Sequence, residues 1–146
     1  MERDTVQRPG DSQLDVASAE AGFATLLEKC DLALEELGCA VPMAEVRALL
    51  LIDRAGHLNL GRLARALGRS TSATSRLCDR MEAAGLLTCG RAAASRREIV
   101  LLATGSGRRL VRWVRGQRRT VVAQVLRSMT PDGRQALARG LRELAG

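Results

Sequence analysis

From residue 16 onward, apolar residues recur every three or four positions, the spacing that lines one face of an α-helix. Val16, Ala19, Phe23, Leu26, Leu27, Cys30, Leu34 and Leu37 make a first stripe, ending near Gly38. After the connector Cys39-Ala40-Val41, Pro42 suits the first position of a second helix, where its missing N–H has no partner to lose. Met43, Val46, Leu49 and Leu50 then face inward, and that helix stops by Gly56. His57-Leu58-Asn59 reads as a short extended stretch able to pair with a later strand, with Asn59 capping the next helix. Leu60, Leu63, Ala64 and Leu67 repeat the spacing, and Gly68 marks a turn. A fourth helix starts at the N-cap candidate Ser70. Thr74, Leu77, Cys78 and Met81 form its apolar face, while Ser72, Ser75, Arg76, Asp79 and Arg80 lie opposite; Gly85 is the candidate C-cap.

The period then changes. Leu86–Arg91 and Arg97–Ala103 read as two strands, with Glu98-Ile99-Val100-Leu101-Leu102 rich in β-branched and apolar residues and a short basic tip between them. Thr104 caps a long helix of about 25 residues carrying Leu110, Val111, Val114, Val121, Val122, Val125 and Leu126. Arg118 interrupts its apolar side, and Gly116 is a weak point within it. Thr130-Pro131-Asp132 opens a last helix with Ala136, Leu137, Leu141 and Leu144 on one side.

The predicted fold class is therefore mainly α with a small β-wing. It is a winged helix-turn-helix of about six helices and a two- to three-stranded wing sheet, forming a two-fold dimer. Residues 1–15 have no apolar period and are expected to be a disordered arm. Residues 16–40 form a dimerisation helix, 41–103 the DNA-binding lobe and 104–146 the C-terminal dimerisation helices. Dimerisation is inferred because the first, fifth and sixth helices are each too apolar on one side to stand alone.

Charge sharpens this division. Residues 1–53 carry 4 basic and 11 acidic groups, 54–100 carry 9 and 3, and 101–146 carry 10 and 2, for a formal total of +7. The predicted helix-turn-helix thus lies in the basic part, the expected footprint for phosphate binding. Apolar residues make up 46% of the chain, but Phe23 and Trp113 are the only aromatics, so the core is aliphatic. No apolar run approaches the roughly 20 residues of a membrane span, and no signal peptide is visible. A cytoplasmic protein with no membrane partner is expected.

Catalytic chemistry finds little support. His57 is the one histidine, in a loop, and there is neither a carboxylate pair nor a glycine-rich phosphate loop. Cys30, Cys39, Cys78 and Cys89 lack C-x-x-C spacing, so no metal and no cofactor is expected. Cys30 and Cys78 read most simply as small buried hydrophobes. The fourth helix offers sharper chemistry. Ser72, Ala73, Ser75 and Arg76 are placed to approach base edges of double-stranded DNA, with Arg76 bidentate to a guanine and Ala73 on a thymine methyl. Ser70, Thr71 and Arg80 would hold phosphates. Arg96 and Arg97 would enter the minor groove or clamp the backbone.

These residues resemble the MarR family of winged helix-turn-helix regulators. The resemblance rests on LGRLARALGRSTSATSRLCDRMEAAGLL and SRREIVLLATGSGRRL, and runs from about Val41 to the C-terminus. It includes Arg76, the Asp79-Arg80 pair, Gly85-Leu86-Leu87, and a Leu-Thr-x-x-Gly motif standing here as Leu102-Ala103-Thr104-Gly105-Ser106-Gly107. The family's Asp-x-Arg at the wing is Ser95-Arg96-Arg97, so the acid that braces the arginine is missing. The resemblance implies a non-enzymatic homodimeric regulator, a repressor that occludes a promoter at a pseudo-palindromic operator. It also implies a small-molecule effector held between the dimer helices and the DNA-binding lobe, with Leu26, Cys30, His57 and Trp113 as candidates. Two alternatives stand beside it. One is a redox sensor using Cys30 or Cys39, as some relatives do; the other is a winged helix that binds a protein partner instead of DNA.

Overall fold

The computed structural model describes residues 16–92 and 95–146, with the backbone alone for residues 92 and 95–98. The arm expected over residues 1–15 lies outside the described residues. Six helices and one hairpin follow in the order α1 (Val16–Glu36), α2 (Met43–Ala55), α3 (Leu60–Leu67), α4 (Thr71–Ala83), β1 (Leu87–Ala92), β2 (Ser95–Ala103), α5 (Gly105–Ser128) and α6 (Pro131–Ala145). Among the described residues no helix is long and apolar enough to cross a membrane.

Several boundaries differ from the sequence reading, among them β1, which runs Leu87–Ala92 against the expected Leu86–Arg91. Pro42 has φ −56° and ψ 142°, so it precedes α2 rather than opening it; its carbonyl accepts from the N–H groups of Glu45 and Val46. A proline ring fixes φ but leaves ψ free to be extended, which is why the sequence could not separate the two positions. Strand β2 begins at Ser95, paired with Ala92, two residues before the expected start. The register shifts between Arg91, paired with Ile99, and Ala92, paired with Ser95, an irregularity that apolar alternation does not signal. The expected pairing of the 57–59 stretch is present. Leu58 and Leu101 exchange both backbone hydrogen bonds, at 3.2 and 2.7 Å, and Asn59 caps α3 by accepting from the Arg62 N–H at 2.8 Å.

The core has two parts. Ala48, Leu49, Ile52, Leu63, Leu77, Cys78, Met81, Leu86, Leu87, Leu101, Ala103 and Val111 close the lobe formed by α2–α4, the hairpin and the start of α5. Leu34, Val46 and Val114 form a smaller cluster that joins α1, α2 and α5, with Trp113 packed at its side. Helix α6 buries no residue, leaving Leu141 47% and Leu144 79% exposed; Phe23, Leu27 and Leu32 on α1 and Leu37 just after it are also exposed.

Candidate nucleic-acid interface

Helix α4 is built as its sequence dictates. Ser70 is extended, and its Oγ accepts from the Ala73 N–H at 3.2 Å, filling one donor vacancy of the first turn. Thr74, Leu77 and Met81 have no exposed surface, and Cys78 is 6% exposed. The buried Thr74 hydroxyl is satisfied by donating to the Ser70 carbonyl at 2.9 Å. On the other side Thr71, Ser72, Arg76, Asp79 and Arg80 are exposed, with Ala73 and Ser75 half-buried at the margin. The Oγ atoms of Ser70 and Ser72 lie 3.3 Å apart. The helix ends with Gly85 at φ 70°, where the Gly85 N–H reaches the Glu82 carbonyl and the Leu86 N–H reaches the Met81 carbonyl. That crossed pair closes the helix and needs a left-handed residue at its centre.

Arg80 has partners that the sequence reading did not foresee. Its Nε donates to Glu45 Oε1 at 3.1 Å, and its Nη1 donates to the Arg76 carbonyl at 3.2 Å. Glu45 lies in the first turn of α2 and is 6% exposed, the one buried acid among the described residues. A carboxylate taken out of water needs such a partner. Sequence offered a faint signal: an acid flanked by Ala44 and Val46 and three residues after Pro42, at a helix start where negative charge is favoured.

The end of α4 is fastened to the start of α5. The Thr104 hydroxyl donates to the Gly85 carbonyl at 2.6 Å and accepts from the Gly107 N–H at 3.0 Å, while the Thr104 N–H donates to the Leu86 carbonyl at 3.1 Å. Gly107 packs so closely here that a Cβ would run into the Leu86 carbonyl oxygen. This is the physical content of the Thr-x-x-Gly motif. Across the hairpin, Arg91 and Ile99 are paired and exposed. The side chains of Arg96 and Arg97 lie outside the described residues, although both residues belong to β2.

A cleft of about 620 Å³ separates this lobe from α1 and α5. Four arginines line it, Arg47, Arg54, Arg115 and Arg118, beside Leu27, Leu50, Leu51 and Leu67. Arg47 pairs with Asp31 at 3.2 Å and Arg115 with Asp53 at 3.0 Å, and the buried Nε of Arg118 has no hydrogen-bond partner. The expected effector residues are not brought together here. Leu26 is half-buried on α1, Cys30 is buried in the same helix, His57 is exposed after α2, and Trp113 packs beside Leu34, Val46 and Val114. Periodicity could place these residues on faces but could not say which faces meet.

All four cysteines are free thiols. Cys39 is half-buried, and its Sγ donates to the Val41 carbonyl at 3.6 Å. Burial, with added repulsion from Cys89, Asp79 and Glu82, pushes the Cys78 thiol up to about 11. Cys89, exposed on β1, is also raised, first by desolvation and then by the charge and hydrogen bond of Glu82. Among the described residues no group of three or more His, Cys, Asp or Glu side chains is placed to hold a metal ion.

Comparison with known proteins adds an independent line. Residues 41–98 match the model of the MarR family. The HTH-type transcriptional regulator YfiV of Bacillus subtilis (strain 168) is 26% identical over 103 residues, covering 70% of this chain and 64% of YfiV, so the match spans less than two thirds of that relative. The crystal structure of RV1404 from Mycobacterium tuberculosis superposes with a TM-score of 0.74 at 29% identity, covering 88% of each chain. A MarR family protein from Bacillus stearothermophilus gives 0.72 at 26% identity, covering 87% of each. Residues 41–98 thus match the MarR family model, and the six helices and wing have the winged helix-turn-helix fold of these solved regulators.

Proposed function

We propose that the chain is a cytoplasmic, dimeric repressor that binds a pseudo-palindromic operator. One observation carries the proposal: α4 buries Thr74, Leu77 and Met81 completely and turns Ser72 and Arg76 outward from the basic 54–100 region. A helix so divided can sit in a major groove, reading bases with Ser72, Ala73, Ser75 and Arg76 while Ser70 and Thr71 hold phosphates. Arg96 and Arg97 act from the wing.

Two copies are needed to span two half-sites. The exposed apolar residues of α1 and α6 supply the surface that a second copy covers. The cleft beneath α2 suits a small anionic effector, since its arginines outnumber its one acid, Asp31, and its walls are otherwise leucine and alanine. An anion held there changes the seating of the lobe on α1 and α5 and so lowers operator affinity.

The test is a footprint of the purified protein across fragmented DNA of its own source. A few strong palindromic sites are expected. Uniform weak coverage would mean backbone attraction alone and would move the reading to a protein-partner module.

A further inference from the structure

We infer that Glu45 and Arg80 act together as a positioning device for sequence readout, and that Arg80 is not a phosphate contact. The inference rests on the DNA-binding reading above and revises one residue within it.

Arg80 sits on the exposed side of α4, where composition alone would send it to DNA. Two of its three guanidinium nitrogens have acceptors inside the protein. Nε is on Glu45 of α2, and Nη1 is on the backbone carbonyl of Arg76. The guanidinium therefore joins two things: the first turn of α2, and the α4 backbone at Arg76, from which the proposed base-reading side chain projects. The helix is already held by the apolar packing of Leu77 and Met81. Apolar packing is non-directional, however, and tolerates small rotations about the helix axis. A charge-assisted hydrogen bond has direction, and one from α2 to α4 fixes that rotation. Arg76 reaches a base edge in the right geometry only if the rotation is fixed.

Glu45 gives the inference a sign that electrostatics alone does not share. It is buried and negative. Replacing it with glutamine removes a negative charge, which by charge alone strengthens DNA binding. If Glu45 positions α4, the same replacement weakens binding to the specific site.

The experiment uses the full chain with two probes: the tightest duplex selected from random-sequence DNA, and a shuffled duplex of the same composition. Dissociation constants are measured over a salt series for the wild type, Glu45→Gln, Arg80→Ala and the Glu45→Gln/Arg80→Ala double variant. The specific-to-shuffled ratio is the main readout, because it compares two DNAs on the same folded protein and cancels any loss of folded fraction. Each single variant is expected to lower that ratio roughly tenfold, with the double variant losing no more than either, as for residues acting as one unit. The salt slope of Arg80→Ala should match the wild type. A slope shallower by about one makes Arg80 a phosphate contact and overturns the inference. An unchanged ratio in Glu45→Gln overturns it as well. Should Arg80→Ala not fold, the Glu45→Gln/Arg80→Gln variant removes both charges without stranding either and is read by the same ratio. A wild type with no preference and no salt dependence sinks the DNA-binding reading itself, before any variant is compared.

Discussion

Arg80 of α4 and Glu45 of α2 are 35 positions apart in the chain and 3.1 Å apart in space, Nε to Oε1. The acid is 7% exposed at its side chain and the arginine 59%, so the pair is buried at one end only. Arg80→Ala is expected to cost about 1–2 kcal/mol of stability, between the values for surface and buried pairs, because it strands Glu45. Urea unfolding measures this. A loss of nothing would mean that water replaces the guanidinium without penalty.

Arg76 is the exposed side chain of α4 proposed to read a base edge. Arg76→Ala should weaken binding to a specific site by ~1–3 kcal/mol and relax preference at one base position. Stability should hardly change, since the side chain is exposed. Titration against the selected duplex decides; unchanged affinity removes Arg76 from the contact set.

Ser70→Ala deletes the acceptor for the Ala73 N–H. The expected loss is about 1 kcal/mol of stability, with Ser70→Gly losing only a few tenths. Thermal unfolding of the three proteins gives the order directly: wild type, then glycine, then alanine.

Gly107→Ala places a methyl group against the Leu86 carbonyl. Backbone on both sides leaves little room to relax, so a destabilisation of about 1–3 kcal/mol is expected. Gly116→Ala, where a Cβ meets nothing, should instead stabilise by up to ~1 kcal/mol. Similar effects from both would show that helix propensity, and not the close approach, is being measured.

The thiol of Cys78 stands at about 11 against an ordinary 9.0, so its thiolate is scarce at neutral pH. It should resist iodoacetamide near pH 7 in the folded protein and react once the protein unfolds. The linkage has a definite sign. The folded state binds this proton more tightly, so its stabilising effect is intact below pH 9 and is lost as pH rises from 9 to 11. Replacing Cys78 with alanine should flatten that part of the stability profile.

The sequence carried much of this architecture because α3, α4, α5 and α6 each announce themselves twice, once by period and once by a capping side chain. Ser70, Thr104 and Thr130 all accept from the N–H three residues on, as their positions before apolar stripes implied. The apolar face of α4 was legible for the same reason. What was not legible was any relation between elements. Glu45 and Arg80 belong to helices whose facing sides no local pattern reveals. Leu27 was one more member of a stripe until α1 crossed the lobe beside Arg47 and Arg118.

The fastening of Thr104 and Gly107 onto Gly85 and Leu86 has a mechanical consequence. Helix α5 has 24 residues, about 36 Å of rigid rod at 1.5 Å per residue. Its near end is locked to the heel of α4, so the two turn as a bent lever with its fulcrum in the proposed dimer. A tilt of about 5° at the far end swings the heel by roughly 3 Å, close to the rise of one base pair. Substitutions far out on α5 can therefore retune the spacing between half-sites without touching a residue that meets DNA.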